Sequence, residues 1–218
     1  MSLSFKHLPL ESIWQPAGPN ETNGHLIVVL HGRGDSAEGF AWLQSALGLP
    51  GLSALLLNAP NSYYTGFSWY DLPPNQLPGV LSSREQLTRV FQEIARMGFA
   101  PERTFLLGFS QGCLMTLEFG ARYSTRLAGY VGISGYCYDE KALLAEAVPE
   151  IKRADWLVTH GSIDSVLPVE RTRGQMQALI QGGFNLEYRE YAKDHTIDPR
   201  EELPAIREWL RKRLLNPH

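Results

Sequence analysis

Short unbroken apolar runs, separated by amphipathic stretches, set the rhythm of this chain. Leu26 to Leu30 (LIVVL) is continuous and β-branched at its centre, which predicts a strand buried on both faces. Ala54 to Leu57, Thr104 to Gly108, Gly129 to Ile133 and Trp156 to Thr159 read the same way. Leu186 to Tyr191 alternates and is more polar, which places it nearer a sheet edge. Between these runs, Leu87, Val90, Phe91, Ile94 and Met97 recur at helical spacing and predict a helix from Arg84 to Met97 behind Ser83, with Gln86 at the capping-box position. A final helix opens at Asp198 and Pro199, with Glu201 three residues after the aspartate, and carries the stripe Leu203, Ile206, Leu210 and Leu214. Further helices are expected at Glu38 to Ala46, Gln111 to Tyr123 and Val169 to Gln181. Strands alternating with helices imply an α/β architecture, a mostly parallel central sheet with helices on both faces. In such sheets functional groups collect at the strand C-terminal ends. The longest irregular stretch, Ala59 to Ser82, is rich in Pro, Gly, Asn and Tyr and is the expected substrate-facing loop.

Composition narrows this picture. A chain of 218 residues suits one domain, residues 1–218, with no separate cap domain, and it shows no internal repeat or linker. The formal charge of -3 provides no positive field, so nucleic-acid binding is set aside. The basic tail Arg211, Lys212 and Arg213 suits the last turn of a helix, where cations complement the macrodipole. Met1 to Leu10 is neither a secretory leader nor a membrane span, so a cytoplasmic protein without stable membrane insertion is expected. The two cysteines, Cys113 and Cys137, are too few for a disulfide framework. A homodimer is compatible with the sequence, which does not show which apolar residues are exposed.

The chemistry centres on Gly108, Phe109, Ser110, Gln111 and Gly112, a G-x-S-x-G pattern directly after a strand-like run and directly before a helical one. A turn tight enough to expose the serine needs small residues two positions either side, and both are glycine. A serine hydroxyl needs a base to become nucleophilic and an acid to orient that base. In the α/β-hydrolase fold these follow in the order Ser, acid, His. Of six histidines only His195 and His218 lie beyond the last strong strand, and His218 is the chain end, so His195 is the expected base. Asp164, a few residues past the strand at Trp156 to Thr159, is the expected acid. Asp194 adjoins His195 and would point away from it, and Asp155 precedes its strand. Two amides are needed for the oxyanion: that of Gln111, after the nucleophile, and one from the turn His31, Gly32, Arg33, Gly34, Asp35, where Arg33 is the expected donor.

Other readings weigh less. Arg33-Gly34-Asp35 is also an adhesion tripeptide, and His31 with Asp35 and His160 with Asp164 share a His-x-x-x-Asp spacing compatible with metal ligation. The serine reading already uses Asp164 and the glycine turn, so no metal and no cofactor are expected, and His31 and His160 read as loop-orienting residues. Cys113, one helical turn past Ser110, reads as a buried packing residue.

Together these segments resemble the phospholipase/carboxylesterase family of α/β-hydrolases, which includes the acyl-protein thioesterases. His31 to Asp35 is similar to its HGxGD turn, Ala59 and Pro60 with Trp69, Tyr70 and Asp71 to its AP...WYD segment, Gly108 to Gly112 to its GFSQG motif, and His160, Gly161, Asp164, Leu167 and Pro168 to its acid loop. The resemblance implies a Ser110, Asp164, His195 triad, oxyanion amides from Arg33 and Gln111, and a small-molecule acyl ester, lysophospholipid or thioester as substrate. The chain departs from the pattern at Cys113, where a second glycine is usual, at Ile163 and Ser165 beside the acid, and at Ala192 to Thr196, where Gly-x-x-His-x is common. Trp69, Leu72, Leu77, Val80 and Leu81 either line an acyl groove or pack the loop down. A peptidase on the same residues and a non-catalytic binding protein that keeps the fold are the competing readings.

Overall fold

The computed structural model describes residues 5–18 and 24–215; His218 and the start of the N-terminal segment lie outside the described residues. Its main sheet contains, among the described residues, seven strands in the order β1 (Ser12–Gln15), β3 (Leu52–Leu57), β2 (His25–Leu30), β6 (Thr104–Phe109), β7 (Gly129–Ile133), β8 (Trp156–Gly161) and β9 (Leu186–Tyr191). Only β1 runs antiparallel to its neighbour. The central strands are buried throughout because each face meets a separate apolar layer.

Alternate residues of one strand serve the two layers. Leu26, Val28 and Leu30 of β2 face the layer packed by α2 (Gln76–Arg96), α3 (Gln111–Gly120), α4 (Glu140–Glu146), α5 (Pro149–Lys152) and α6 (Val169–Gln181). Ile27 and Val29 face α1 (Leu43–Leu47) and α7 (Glu202–Leu215). This period of two is the strand pleat itself. The final helix contributes Leu203, Ile206 and Leu210, as its stripe predicts, and adds Trp209.

Several boundaries differ from the sequence pattern. The helix expected to start at Arg84 begins at Gln76, and Ser83 lies inside it, its hydroxyl donating to the Trp69 carbonyl at 2.6 Å rather than capping. Val80 extends the apolar stripe about two turns earlier; Pro78 in the first turn and Gly79 mask it, since Pro is tolerated there while both read as loop. The supposed loop from Ala59 to Ser82 also holds a small hairpin, β4 (Asn61–Tyr63) and β5 (Gly66–Ser68). The helix expected at Glu38 to Ala46 divides into a single 3₁₀ turn, Glu38–Phe40, and α1. Asp198 does cap α7, accepting from the Glu201 and Glu202 amides at 2.7 and 3.3 Å, but its own amide is taken by the Glu202 carboxylate at 3.0 Å, not by Glu201.

Sheet direction is what assembles the site. The loops leaving β2, β6, β8 and β9 all emerge at one edge, with Ser110 after β6, flanked by the glycine turn after β2 on one side and by the loops holding Asp164 and His195 on the other.

Candidate active site

Ser110 adopts φ 55 and ψ -113, a left-handed conformation that strains a residue with a Cβ. The strain is held from both sides. The Ser110 amide donates to the Ile133 carbonyl at 2.9 Å, and the flanking glycines permit the close approach. A Cβ at Gly108 would stand 2.1 Å from the Gly112 carbonyl oxygen, and one at Gly112 would stand 2.1 Å from that of Leu30. The two small residues are therefore required by backbone contact between β6, α3 and β2.

The Ser110 hydroxyl donates to His195 Nε2 at 2.9 Å, and His195 Nδ1 donates to Asp164 Oδ2 at 2.8 Å. Asp164 is buried, and its other oxygen accepts the Val166 and Leu167 amides at 2.9 and 2.8 Å. Burial alone would raise its pKa; the Leu167 amide, the His195 bond and the Val166 amide outweigh that and hold it below the ordinary aspartate value. The carboxylate is thus ionised at neutral pH and available to orient an imidazole. The rival acids are engaged elsewhere. Asp194 accepts the Ser165 amide and hydroxyl, both at 2.8 Å, and the His195 amide at 2.7 Å. Asp155 pairs with Asn185 and Arg213 at the start of β8.

The glycine turn sits beside this chain of bonds. Gly34 donates to the Phe67 carbonyl at 2.8 Å and Asp35 to that of Gly32 at 3.2 Å, so the adhesion-like triplet is built into the turn. His31 Nδ1 donates to the Gly32 carbonyl at 2.6 Å while Nε2 accepts the Ala59 amide at 3.0 Å. Both ring nitrogens are occupied, and burial lowers its pKa, so the ring is a neutral brace between two loops. His160 Nε2 likewise donates to the Leu167 carbonyl at 2.9 Å, behind Asp164.

Trp69 requires a correction. It is 0% exposed, and its indole N–H donates to the His31 carbonyl at 2.9 Å, so it packs the loop down and does not line a groove. Val80 is buried in the same layer, whereas Leu72, Leu77 and Leu81 are 48%, 43% and 43% exposed. The division follows the path of the chain: α2 begins earlier than its pattern suggests and turns Val80 inward.

Two structural roles escape sequence reasoning. The Gln111 side chain accepts the Ser68 hydroxyl at 3.1 Å and the Trp69 amide at 2.9 Å and donates to the Tyr70 carbonyl at 2.8 Å, tying residues 68–70 to the start of α3. Lys193, buried two residues before His195, places its ammonium 2.9 Å from the Ser134 hydroxyl, 2.6 Å from the Thr196 carbonyl and 2.7 Å from the Glu202 carboxylate. Lys193 falls on an unrestricted position of the Gly-x-x-His-x pattern, so no local signal marks it. Ser165, which departs from the family-like pattern beside Asp164, is the partner of Asp194.

Cys113 fits against β7 because Gly132 and Gly135 leave room for its sulfur, 2.7 and 2.6 Å from where their Cβ atoms would stand. Burial pushes its thiol up to about 12, and Cys137, also buried, is raised as well. Neither thiol is expected to react with Ellman's reagent in the folded protein, whereas both titrate after unfolding. A thiol equivalent released at once from native protein would contradict the packing of α3.

Comparison with known proteins extends this picture. The family model described as Phospholipase/Carboxylesterase matches residues 12–214. Carboxylesterase SOBER1 of Arabidopsis thaliana is 27% identical over 206 residues, covering 86% of this chain and 90% of that protein. Acyl-protein thioesterase 1 of Schizosaccharomyces pombe is 26% identical over 175 residues, 74% of this chain and 78% of the relative. Among solved structures, that of esterase PE8 superposes with a TM-score of 0.81 at 26% identity, covering 94% of this chain and 98% of the other. The architecture is the α/β-hydrolase fold.

Proposed function

The chain belongs to the phospholipase/carboxylesterase family, and from its standing there as a serine hydrolase of esters or thioesters we propose that Ser110, His195 and Asp164 form the catalytic triad. The observation that carries this reading is the unbroken Ser110, His195, Asp164 hydrogen-bond chain at 2.9 and 2.8 Å. His195 takes the Ser110 proton as the hydroxyl oxygen attacks the acyl carbon. Asp164 keeps the proton of His195 on Nδ1, leaves Nε2 free to accept, and stabilises the imidazolium that forms. The tetrahedral oxyanion receives the amides of Arg33 and Gln111; the two residues after Arg33 direct theirs elsewhere, Gly34 to Phe67 and Asp35 to Gly32. The alcohol or thiol leaves with the proton from His195, and water repeats the sequence on the acyl-enzyme.

The substrate of this reading is a small-molecule carboxylic ester or thioester. The exposed Leu72 and Leu77 are among the side chains of the 59–82 segment free to meet its acyl part. Every role in the reaction is filled by a residue of the chain. Among the described residues no helix is long and apolar enough to cross a membrane.

A fluorophosphonate probe tests the assignment directly, because it phosphonylates a serine oxygen, with loss of fluoride, only where a base and an oxyanion site act together. The adduct is expected on the peptide containing Ser110. An intact protein that remains unlabelled, or is labelled at another serine, would reject the triad and favour a binding protein that keeps the fold without turnover.

A further inference from the structure

Resting on the reading of Ser110 and the Arg33 amide as one acyl-transfer site, we propose that the Arg33 side chain is a substrate-selecting cation, which binds a carboxylate or phosphate carried by the ester. The place of the charge comes first. The residue whose amide would face the oxyanion also carries the guanidinium, so the cation lies within one arginine side chain and one amide hydrogen bond of the scissile carbonyl.

That cation is held in position. Its Cζ lies 4.1 Å from the centroid of the Tyr63 ring, and Tyr63 in turn meets Tyr64 edge to face at 4.6 Å. The hairpin bearing both tyrosines is locked to the glycine turn, since Gly34 donates to the Phe67 carbonyl at 2.8 Å and Phe67 donates to that of Asp35 at 2.9 Å. Arg33 and Tyr63 therefore move as one unit with the oxyanion turn.

The cation is also unsatisfied. Its Nε is enclosed by protein with no acceptor, and among the described residues no carboxylate forms an ion pair with it. Asp35, two residues along, directs Oδ1 to the Ser36 amide at 2.8 Å instead. Arg122, Arg173 and Arg211, by contrast, are matched: Arg122 reaches Glu118 and Glu146, Arg173 reaches Glu190, and Arg211 reaches Glu208. A guanidinium stays protonated under all ordinary conditions, and stacking on an aromatic face leaves its edge to bind a planar or tetrahedral anion through paired N–H groups. A half-buried charge beside a reacting carbonyl, fixed by a ring and lacking a counter-ion, is suited to receive one from the substrate. The anion can sit on the acyl side or on the leaving-group side of the ester, and the chemistry of recognition is the same.

Two pairs of esters separate these sources. On the acyl side, the 4-nitrophenyl monoester of glutaric acid is compared with 4-nitrophenyl valerate; on the leaving-group side, 4-acetoxybenzoate is compared with its methyl ester. Each kcat/KM is divided by the hydroxide-catalysed rate of the same ester, and the readout is the anionic-to-neutral ratio. The full-length protein is expected to favour the anionic member of one pair by about tenfold or more, with the ratio falling as salt is added. Arg33→Met should bring that ratio close to one, and Arg33→Lys should retain part of it, because a point charge replaces a planar fork. Neutral esters turned over as well as anionic ones in both pairs, or a preference that survives Arg33→Met or is insensitive to salt, would overturn the proposal and leave Arg33 as a packing partner of Tyr63. Failure to hydrolyse any of the four, together with an unlabelled Ser110, would instead defeat the assignment of the acyl-transfer site, and this inference with it.

Discussion

Ser110→Ala is expected to lower kcat for a 4-nitrophenyl ester by about 10⁶-fold, the order seen when a triad nucleophile is removed from a serine hydrolase. The size of the effect follows from geometry. Among the described residues His195 Nε2 bonds to no hydroxyl but that of Ser110, at 2.9 Å, so deletion of that oxygen removes the covalent path entirely. What remains is a water held against the oxyanion amides, which retains about 10³ to 10⁴ over the uncatalysed rate. The fold should survive, because the helix start is held by the Ser110 amide and by the Gly108 and Gly112 contacts, none of which uses the hydroxyl. Steady-state hydrolysis with a melting temperature measured alongside checks both halves. Undiminished hydrolysis by a folded alanine variant would remove Ser110 from the chemistry.

Lys193→Met is expected to destabilise the protein by about 3 to 5 kcal/mol, the usual cost of breaking a buried ion pair by removing one partner. Lys193 and Glu202 are both buried, and the carboxylate would be left facing the methionine with only the Asp198 amide at 3.0 Å. The Ser134 hydroxyl and the Thr196 carbonyl lose a partner at the same time. Urea unfolding measures the loss. A double variant, Lys193→Met with Glu202→Leu, is expected to recover much of it, because an apolar pair of similar volume no longer strands a charge. A single variant within 1 kcal/mol of the parent would show that the pair is solvated. Activity should fall in the single variant beyond what folding explains, since Lys193 anchors Thr196, the residue after His195, to the end of β7 and to α7.

The two effects differ in how much of them can be foreseen along the chain. Ser110 and Asp164 stand out because each follows an apolar run, and His195 because it follows the last, more polar strand-like run; a parallel sheet brings the ends of such strands to one edge whatever the loops do. The strands at β2, β6, β7 and β8 are legible for a related reason: burial on both faces demands continuous apolar sequence, and few other local structures require it. Edge strand β1 and hairpin β4–β5 lack that demand, being partly exposed, and leave no comparable trace. Helix α2 shows its middle and conceals its start, because Pro78 and Gly79 carry loop character into a first turn that the buried Val80 pulls into the helix.

The sequence by itself determined the α/β order, the place of Ser110 in its glycine frame and the succession of Asp164 and His195, since these depend on near neighbours and on the hand and direction of parallel connections. Only the tertiary structure decided which loop residues are buried and which polar groups meet. Trp69 against His31, Gln111 against residues 68–70, Asp194 against Ser165, Lys193 against Ser134 and Glu202, and Arg33 over Tyr63 all join loops from different strands. No periodicity encodes such pairs, because they are set by how far each loop travels before it packs, and that is a property of the assembled edge of the sheet.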